Sequence, residues 1–137
     1  MTGGTEADLV RSTERGLYCP PGDFYIDPWR PVDRAVVTHA HADHARRGHN
    51  RYLAAQHGAS VLRARLGDIS LQTLGYGESI QLNGVRVSLH PAGHVLGSAQ
   101  VRIEQGGEVW VVSGDYKLEV DGTCAPFEPV RCDVFVT

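Results

Sequence analysis

The chain has 137 residues, 42% of them apolar, and its 13 basic and 16 acidic residues give a formal net charge of -3. That length suits one domain with a core of its own, and no apolar run approaches the roughly 18 residues a membrane helix needs, so a spanning protein is excluded. The mild acidity gives no global nucleic-acid signal. Three cysteines, Cys19, Cys124 and Cys132, lack a Cys-x-x-Cys pair, which excludes a disulfide framework and a structural cysteine-zinc site and predicts reduced core thiols in the cytoplasm.

Residues 1–5, rich in Gly and Thr, predict no element, and 8–15 predicts at most the start of an edge strand around Leu9 and Val10. Residues 17–19 and 24–26 are short strands joined by Pro20-Pro21-Gly22-Asp23, a turn set by proline and glycine. This hairpin ends on Asp27. Pro28 and Pro31 forbid regular structure until Arg34, where an apolar strand runs to Val37.

Directly after that strand stands Thr38-His39-Ala40-His41-Ala42-Asp43-His44, with four ligand-type side chains inside six residues. In extended chain, side chains two apart share a side, so His39 and His41 can approach one cation together. A turn into a helix would aim Asp43 and His44 at a second point, as suits two ions roughly 3.5 to 4 Å apart. Imidazole with carboxylate favours zinc, with manganese or iron compatible with the same ligand types.

Downstream, 45–49 predicts a short helix and 51–54 a strand. A helix over 56–66 follows, with Ala59, Leu62 and Leu66 on one face and Gly67 as its stop. Strands are predicted at 70–74, 79–82, 85–89, 100–104 and 109–112, with hairpin turns at Asn83-Gly84 and Gln105-Gly106-Gly107-Glu108. Two further ligand types sit just past strands. His94 lies in Pro91-Ala92-Gly93-His94-Val95-Leu96-Gly97-Ser98, where two glycines let the backbone come close, and Asp115 follows Val109-Trp110-Val111-Val112-Ser113-Gly114. The apolar run 133–137 reads as a buried strand. A strand-rich order with two helices predicts an α/β layered sandwich.

Between Asp43 and Asp68 the chain has no acidic residue but carries Arg46, Arg47, Arg51, Arg63 and Arg65, a flank suited either to a phosphate backbone or to plain solvation. Arg46, Arg47, Ser98 and Lys117 are the candidate phosphate contacts, with capping the alternative for Ser98 and solvation for Lys117. His90 reads as a packing group. His49 and His57 read as surface groups, with a ligand-orienting role the alternative for His49. Trp29 and Tyr116 read as core or rim residues rather than stacking platforms.

The His-x-His-x-Asp-His segment, the later His94 and then Asp115 resemble the metallo-β-lactamase fold superfamily, over most of the chain. The resemblance implies an αββα sandwich, of which this length covers about the first half. It implies that His39, His41 and His94 hold one metal and Asp43 and His44 a second, with Asp115 bridging and Asp27 in support. It also implies a hydroxide between the ions as nucleophile, with Asp43 and Asp115 as catalytic carboxylates. A further histidine for the second metal would lie beyond residue 137, so 1–137 is expected to be the N-terminal portion of a truncated domain. That expectation puts activity of this stretch alone in doubt.

The words 16–29, 38–49 and 91–100 are similar to bacterial DNA-ligase-associated exonucleases, relatives of the β-CASP nucleases. That similarity implies a metal-dependent DNA phosphodiesterase of DNA repair, with a ligase and a helicase as companions. The alternatives are an RNA-processing nuclease of the same superfamily, a thioester or lactam hydrolase, and a non-catalytic partial domain.

Overall fold

The computed structural model describes residues 8–41, 44–120 and 122–137. Among the described residues, eleven strands form two sheets. The first sheet takes its strands in chain order, β1 (Arg11–Thr13), β2 (Gly16–Cys19), β3 (Phe24–Ile26), β4 (Arg34–Val36), β5 (Arg51–Ala55) and β6 (Leu71–Leu74). β1 to β3 run antiparallel, whereas β3 to β6 are parallel to one another. The second sheet, ordered β11-β10-β9-β8-β7, contains β7 (Ser79–Leu82), β8 (Val85–Pro91), β9 (Ala99–Gln105), β10 (Glu108–Val112) and β11 (Val134–Val136). It is antiparallel except for the β10–β11 pair.

Alternation along each strand decides which layer a side chain joins. On β8 and β9, Val85, Val87 and Leu89 pack with Ala99, Val101 and Ile103 against Phe24, Ile26, Val36, Leu53 and Ala55 of the first sheet. This inter-sheet core is apolar. Each large side chain fully buried in it contributes about 1.5 to 3 kcal/mol. The intervening residues of β5, Tyr52 and Ala54, point the other way and meet Leu62 and Leu66 of the single α-helix among the described residues, α1 (Ala59–Leu66). β5 is therefore buried on both faces, as befits an internal parallel strand. Helix, sheet and sheet make three layers of the expected four-layer sandwich.

The turns follow their residues. Asn83 (φ 50°) and Gly84 (φ 83°) join β7 to β8, and Gly106 (φ 60°) and Gly107 (φ 83°) join β9 to β10, all four in the left-handed region that tight hairpins require. Gly67 (φ 77°) ends α1 as expected, its amide donating to the Arg63 carbonyl.

Five expectations are corrected. The helix at 45–49 does not form: Gly48 takes a φ of 105°, outside the helical region, and the carbonyls of Ala45 and Arg46 accept instead from the Arg65 guanidinium and the Tyr52 hydroxyl. The predicted helix over 56–66 is a 3-10 turn at Gln56–Gly58 followed by α1. The run at 133–137 gives β11, but at the sheet edge, where Phe135 is 42% exposed. His49 is buried rather than on the surface, its Nδ1 accepting from the Val32 amide. Of the thiols, only Cys19 belongs to the core; Cys124 and Cys132 are half-buried, and all three are free.

Candidate metal centre

The ligand-bearing segments all leave one edge of the sandwich. Asp27 follows β3, His39 follows β4 by way of Val37 and Thr38, His94 lies in the loop between β8 and β9, and Asp115 follows β10. Strand ends of this kind are where open α/β sheets place their ligands. The two sheets are tied together there by the Ala99 amide, which donates to the Thr38 carbonyl at 2.8 Å.

Three histidines converge from two loops. The ligand atoms of His39, His41 and His94 lie within 4.8 Å of one another, somewhat wider than the roughly 3.4 Å that two nitrogens span across a tetrahedral ion and within reach of a small side-chain adjustment. His39, His44 and Asp115 form a second group within the same limit. Asp115 Oδ2 stands 3.3 Å from His44 Nε2, 3.7 Å from His39 Nε2 and 3.8 Å from His94 Nε2, so one carboxylate oxygen faces both groups. Asp43 lies outside the described residues.

The donor set fits a divalent metal. The Nε2 atoms of His39 and His94 are buried and have no hydrogen-bond partner among the described residues, an arrangement that is costly unless a cation completes it. Burial, with the neighbouring His44, His94 and His41 rings, lowers the His39 pKa to about 4, against a smaller opposite effect of Asp115. His39 is therefore the neutral imidazole that a metal requires.

Behind the ligands, Asp27 fixes their orientation. Its Oδ1 accepts from the Thr38 amide at 2.8 Å, and its Oδ2 accepts from the Thr38 hydroxyl at 2.6 Å and from His44 Nδ1 at 2.7 Å. Because the Thr38 proton goes to Asp27, the 3.1 Å contact between Thr38 Oγ1 and His39 Nδ1 places the imidazole proton on Nδ1. Both rings then turn an unprotonated Nε2 toward Asp115. Burial pushes the Asp27 carboxyl up from its ordinary range, while the bonds from His44 and Thr38 pull it down. The part played by Thr38 is not visible in the sequence; its place between the strand and the first histidine was the one available signal.

Two glycines are required by close approach. A Cβ on Gly114 (φ 58°) would meet Thr38 Oγ1 at 2.7 Å, and one on Gly93 (φ 74°) would meet the Lys117 carbonyl at 2.5 Å. The His94 loop is closed by Ser98, which is buried and whose hydroxyl accepts from the amides of His94 at 3.1 Å and Val95 at 3.3 Å. Arg46, Arg47 and Lys117 are exposed, and the Arg47 guanidinium donates to the Arg65 carbonyl. His90 belongs to neither ligand group; its nitrogens meet Ser88 Oγ at 2.9 Å and Glu128 at 3.3 Å. His57 is exposed and stacks on Tyr76.

A helix-sheet-sheet sandwich carrying imidazole and carboxylate donors at its strand ends presents a cluster that could hold divalent metal. A probable DNA ligase of Opitutus terrae is 37% identical to this chain over 114 residues, which are 81% of this chain and 11% of the ligase. The endoribonuclease YSH1 of Yarrowia lipolytica is 35% identical over 68 residues, 48% of this chain and 8% of that protein. The chain thus spans only about a tenth of the curated relatives it matches. A solved protein of unknown function from Enterococcus faecalis V583 shares the fold, with a TM-score of 0.54 at 15% identity over 62% of this chain and 25% of that one. No family model matches. With its His-x-His-x-Asp-His segment, its fold and these relatives, the chain belongs to the metallo-β-lactamase fold superfamily.

Proposed function

We propose that the chain is the metal-holding portion of a DNA phosphodiesterase, an exonuclease of DNA repair. The observation that carries this reading is the convergence of the two donor groups on Asp115. His39, His41 and His94 would hold one ion, Asp43 and His44 a second, with Asp115 shared between them and zinc the best match to the donors, manganese the next. Divalent ions bound there would lower the pKa of water toward neutrality and offset charge on a transferring phosphoryl group.

The chain's own part is orientation. Asp27 and Thr38 lock the rings of His39 and His44, and the carboxylates of Asp43 and Asp115 orient the attacking water. Arg46, Arg47 and Lys117 lie on exposed backbone near the ligand loops, where they would meet substrate phosphates. Ser98, by contrast, acts on His94 from within the loop. The resemblance puts one more histidine outside these 137 residues, so hydrolysis is proposed for the whole protein and metal binding for this stretch as its N-terminal portion.

The likeness to a probable DNA ligase over most of the chain supports DNA as substrate and a ligase as companion; a helicase as a further companion and a cytoplasmic location rest on the resemblance alone. No helix among the described residues is long and apolar enough to cross a membrane. The shorter likeness to an endoribonuclease supports RNA as the second reading. Matched DNA and RNA oligonucleotides, single- and double-stranded, incubated with the full-length protein and zinc or manganese, test both. DNA shortening that is lost in His39→Ala is expected; RNA cleavage with intact DNA would select the second reading, and no cleavage of either would end both.

A further inference from the structure

A groove of about 500 Å³ opens beside the ligand loop, lined by Trp29, Arg30, Pro31, Ala45, Arg46, Arg47, Arg65 and Leu66. Four guanidinium groups line it, and among the described residues no carboxylate does. Arg47 donates to the Arg65 carbonyl, and Arg65 donates to the Ala40 carbonyl, so these two also brace the ligand segment. Arg30 and Arg46 are exposed, and neither guanidinium has an ion-pair or hydrogen-bond partner among the described residues. Like charges crowded in one concavity repel, and a polyanion lying along it relieves that repulsion.

Trp29 connects this groove to the metal centre. It lines the groove on one side and, on the other, the cavity walled by Asp27, His44, Gly114 and Asp115. Its amide donates to the Arg15 carbonyl at 2.9 Å and its indole Nε1 to the Glu14 carbonyl at 2.7 Å, so the ring is pinned by its edge to the β1–β2 turn. The side chain is nevertheless 47% exposed. An aromatic ring fixed in place beside a row of cations is the arrangement that binds single strands, with bases stacking and phosphates pairing.

We propose that this arginine groove is a subsite for single-stranded nucleic acid, in which Arg30 and Arg46 bind backbone phosphates and Trp29 stacks a base at the ridge leading to the metal centre. The inference rests on the nuclease reading and adds where the strand lies. It adds a stacking role to Trp29, which reads from the sequence as a core or rim residue. Arginine suits the task because its planar fork binds phosphate oxygens in pairs.

The test is binding of a fluorescein-labelled single-stranded oligodeoxythymidylate in EDTA, so that no turnover intervenes, followed by anisotropy at several salt concentrations. For the double variant Arg30→Ala/Arg46→Ala the slope of log affinity against log salt should fall by about 1 to 1.5, as loss of two phosphate contacts on a single strand requires. Arg86→Ala/Arg131→Ala, with the same charge change at exposed positions outside the groove, should leave the slope unaltered. Trp29→Ala should weaken binding about tenfold. Trp29→Phe should bind well yet lose the quenching of indole fluorescence that accompanies binding.

Circular dichroism matched to the parent chain confirms that each variant is folded. Equal slopes for the two double variants, or quenching that survives Trp29→Phe, would overturn the subsite and leave the nuclease reading standing. Absence of any binding by the parent chain would overturn both.

Discussion

Asp27 Oδ2 lies 2.7 Å from His44 Nδ1, so a residue at the end of β3 sets the tautomer of a candidate metal ligand on the loop after β4. Replacing Asp27 by Ala should leave the inter-sheet core intact and loosen His44 and Thr38. Such outer partners are typically worth 10- to 100-fold in metal affinity. Metal titration with a chromophoric chelator should show the site containing His44 and Asp115 weakened by about that factor and the His41–His94 site less affected. Equal affinities in Asp27→Ala and the parent would show that the carboxylate does not orient the ring.

Gly114→Ala should be destabilising out of proportion to one methyl group. The new Cβ would stand 2.7 Å from Thr38 Oγ1, and its φ of 58° disfavours any side chain. Thr38 must move, and its bonds to Asp27 must stretch or break. Backbone strain and lost bonds together imply about 2 to 4 kcal/mol, readable as a lower midpoint in urea. Thr38→Ser, which keeps the hydroxyl and removes the methyl that Cβ would meet at 3.1 Å, should recover part of that loss when combined with Gly114→Ala.

Of the six ligand-type residues, the five that the structure brings together, His39, His41, His44, His94 and Asp115, were legible because metal chemistry restricts their kind and because three of them fall within one short segment. Strands at 24–26 and 79–82 and both glycine hairpins were legible for a similar reason: alternation and turn residues act locally. What escaped depends on distant neighbours. At 45–49, where no helix forms, Tyr52 and Arg65 reach back to the carbonyls, contacts that the local sequence does not reveal. His49, set among arginines, looks like a surface group until Val32 and Tyr52 close over it. Trp29 likewise gains its meaning only when the β1–β2 turn grips its indole nitrogen and leaves the ring exposed.

Ser98→Ala separates loop support from phosphate contact. The hydroxyl accepts from two amides on the His94 loop, and its removal leaves those donors without their partner in a mostly buried setting. A cost of about 1 to 3 kcal/mol is expected, together with weaker metal binding through a misplaced His94. Oligonucleotide affinity should keep the salt dependence of the parent. A reduced salt slope with unchanged stability would instead make Ser98 a phosphate contact.

Cys19 should behave as a protected thiol whose ionisation opposes folding. It is fully buried between Phe24 and the inter-sheet core, and burial raises its pKa from 9.0 to about 11, against a smaller lowering by the Gly22 amide. Because the folded value exceeds the unfolded one, the neutral thiol favours the native state. That contribution is fully present below about pH 9 and is lost as pH rises toward 11. Two units correspond to roughly 2 to 3 kcal/mol. Urea midpoints between pH 8 and 11 should therefore fall more steeply for the parent than for Cys19→Ala, after allowance for the lower baseline of the variant. A disulfide reagent at pH 8 should modify the half-buried Cys124 and Cys132 first and reach Cys19 only on unfolding. Rapid modification of all three thiols in the native chain would mean that β2 does not pack against β3 and the second sheet as described.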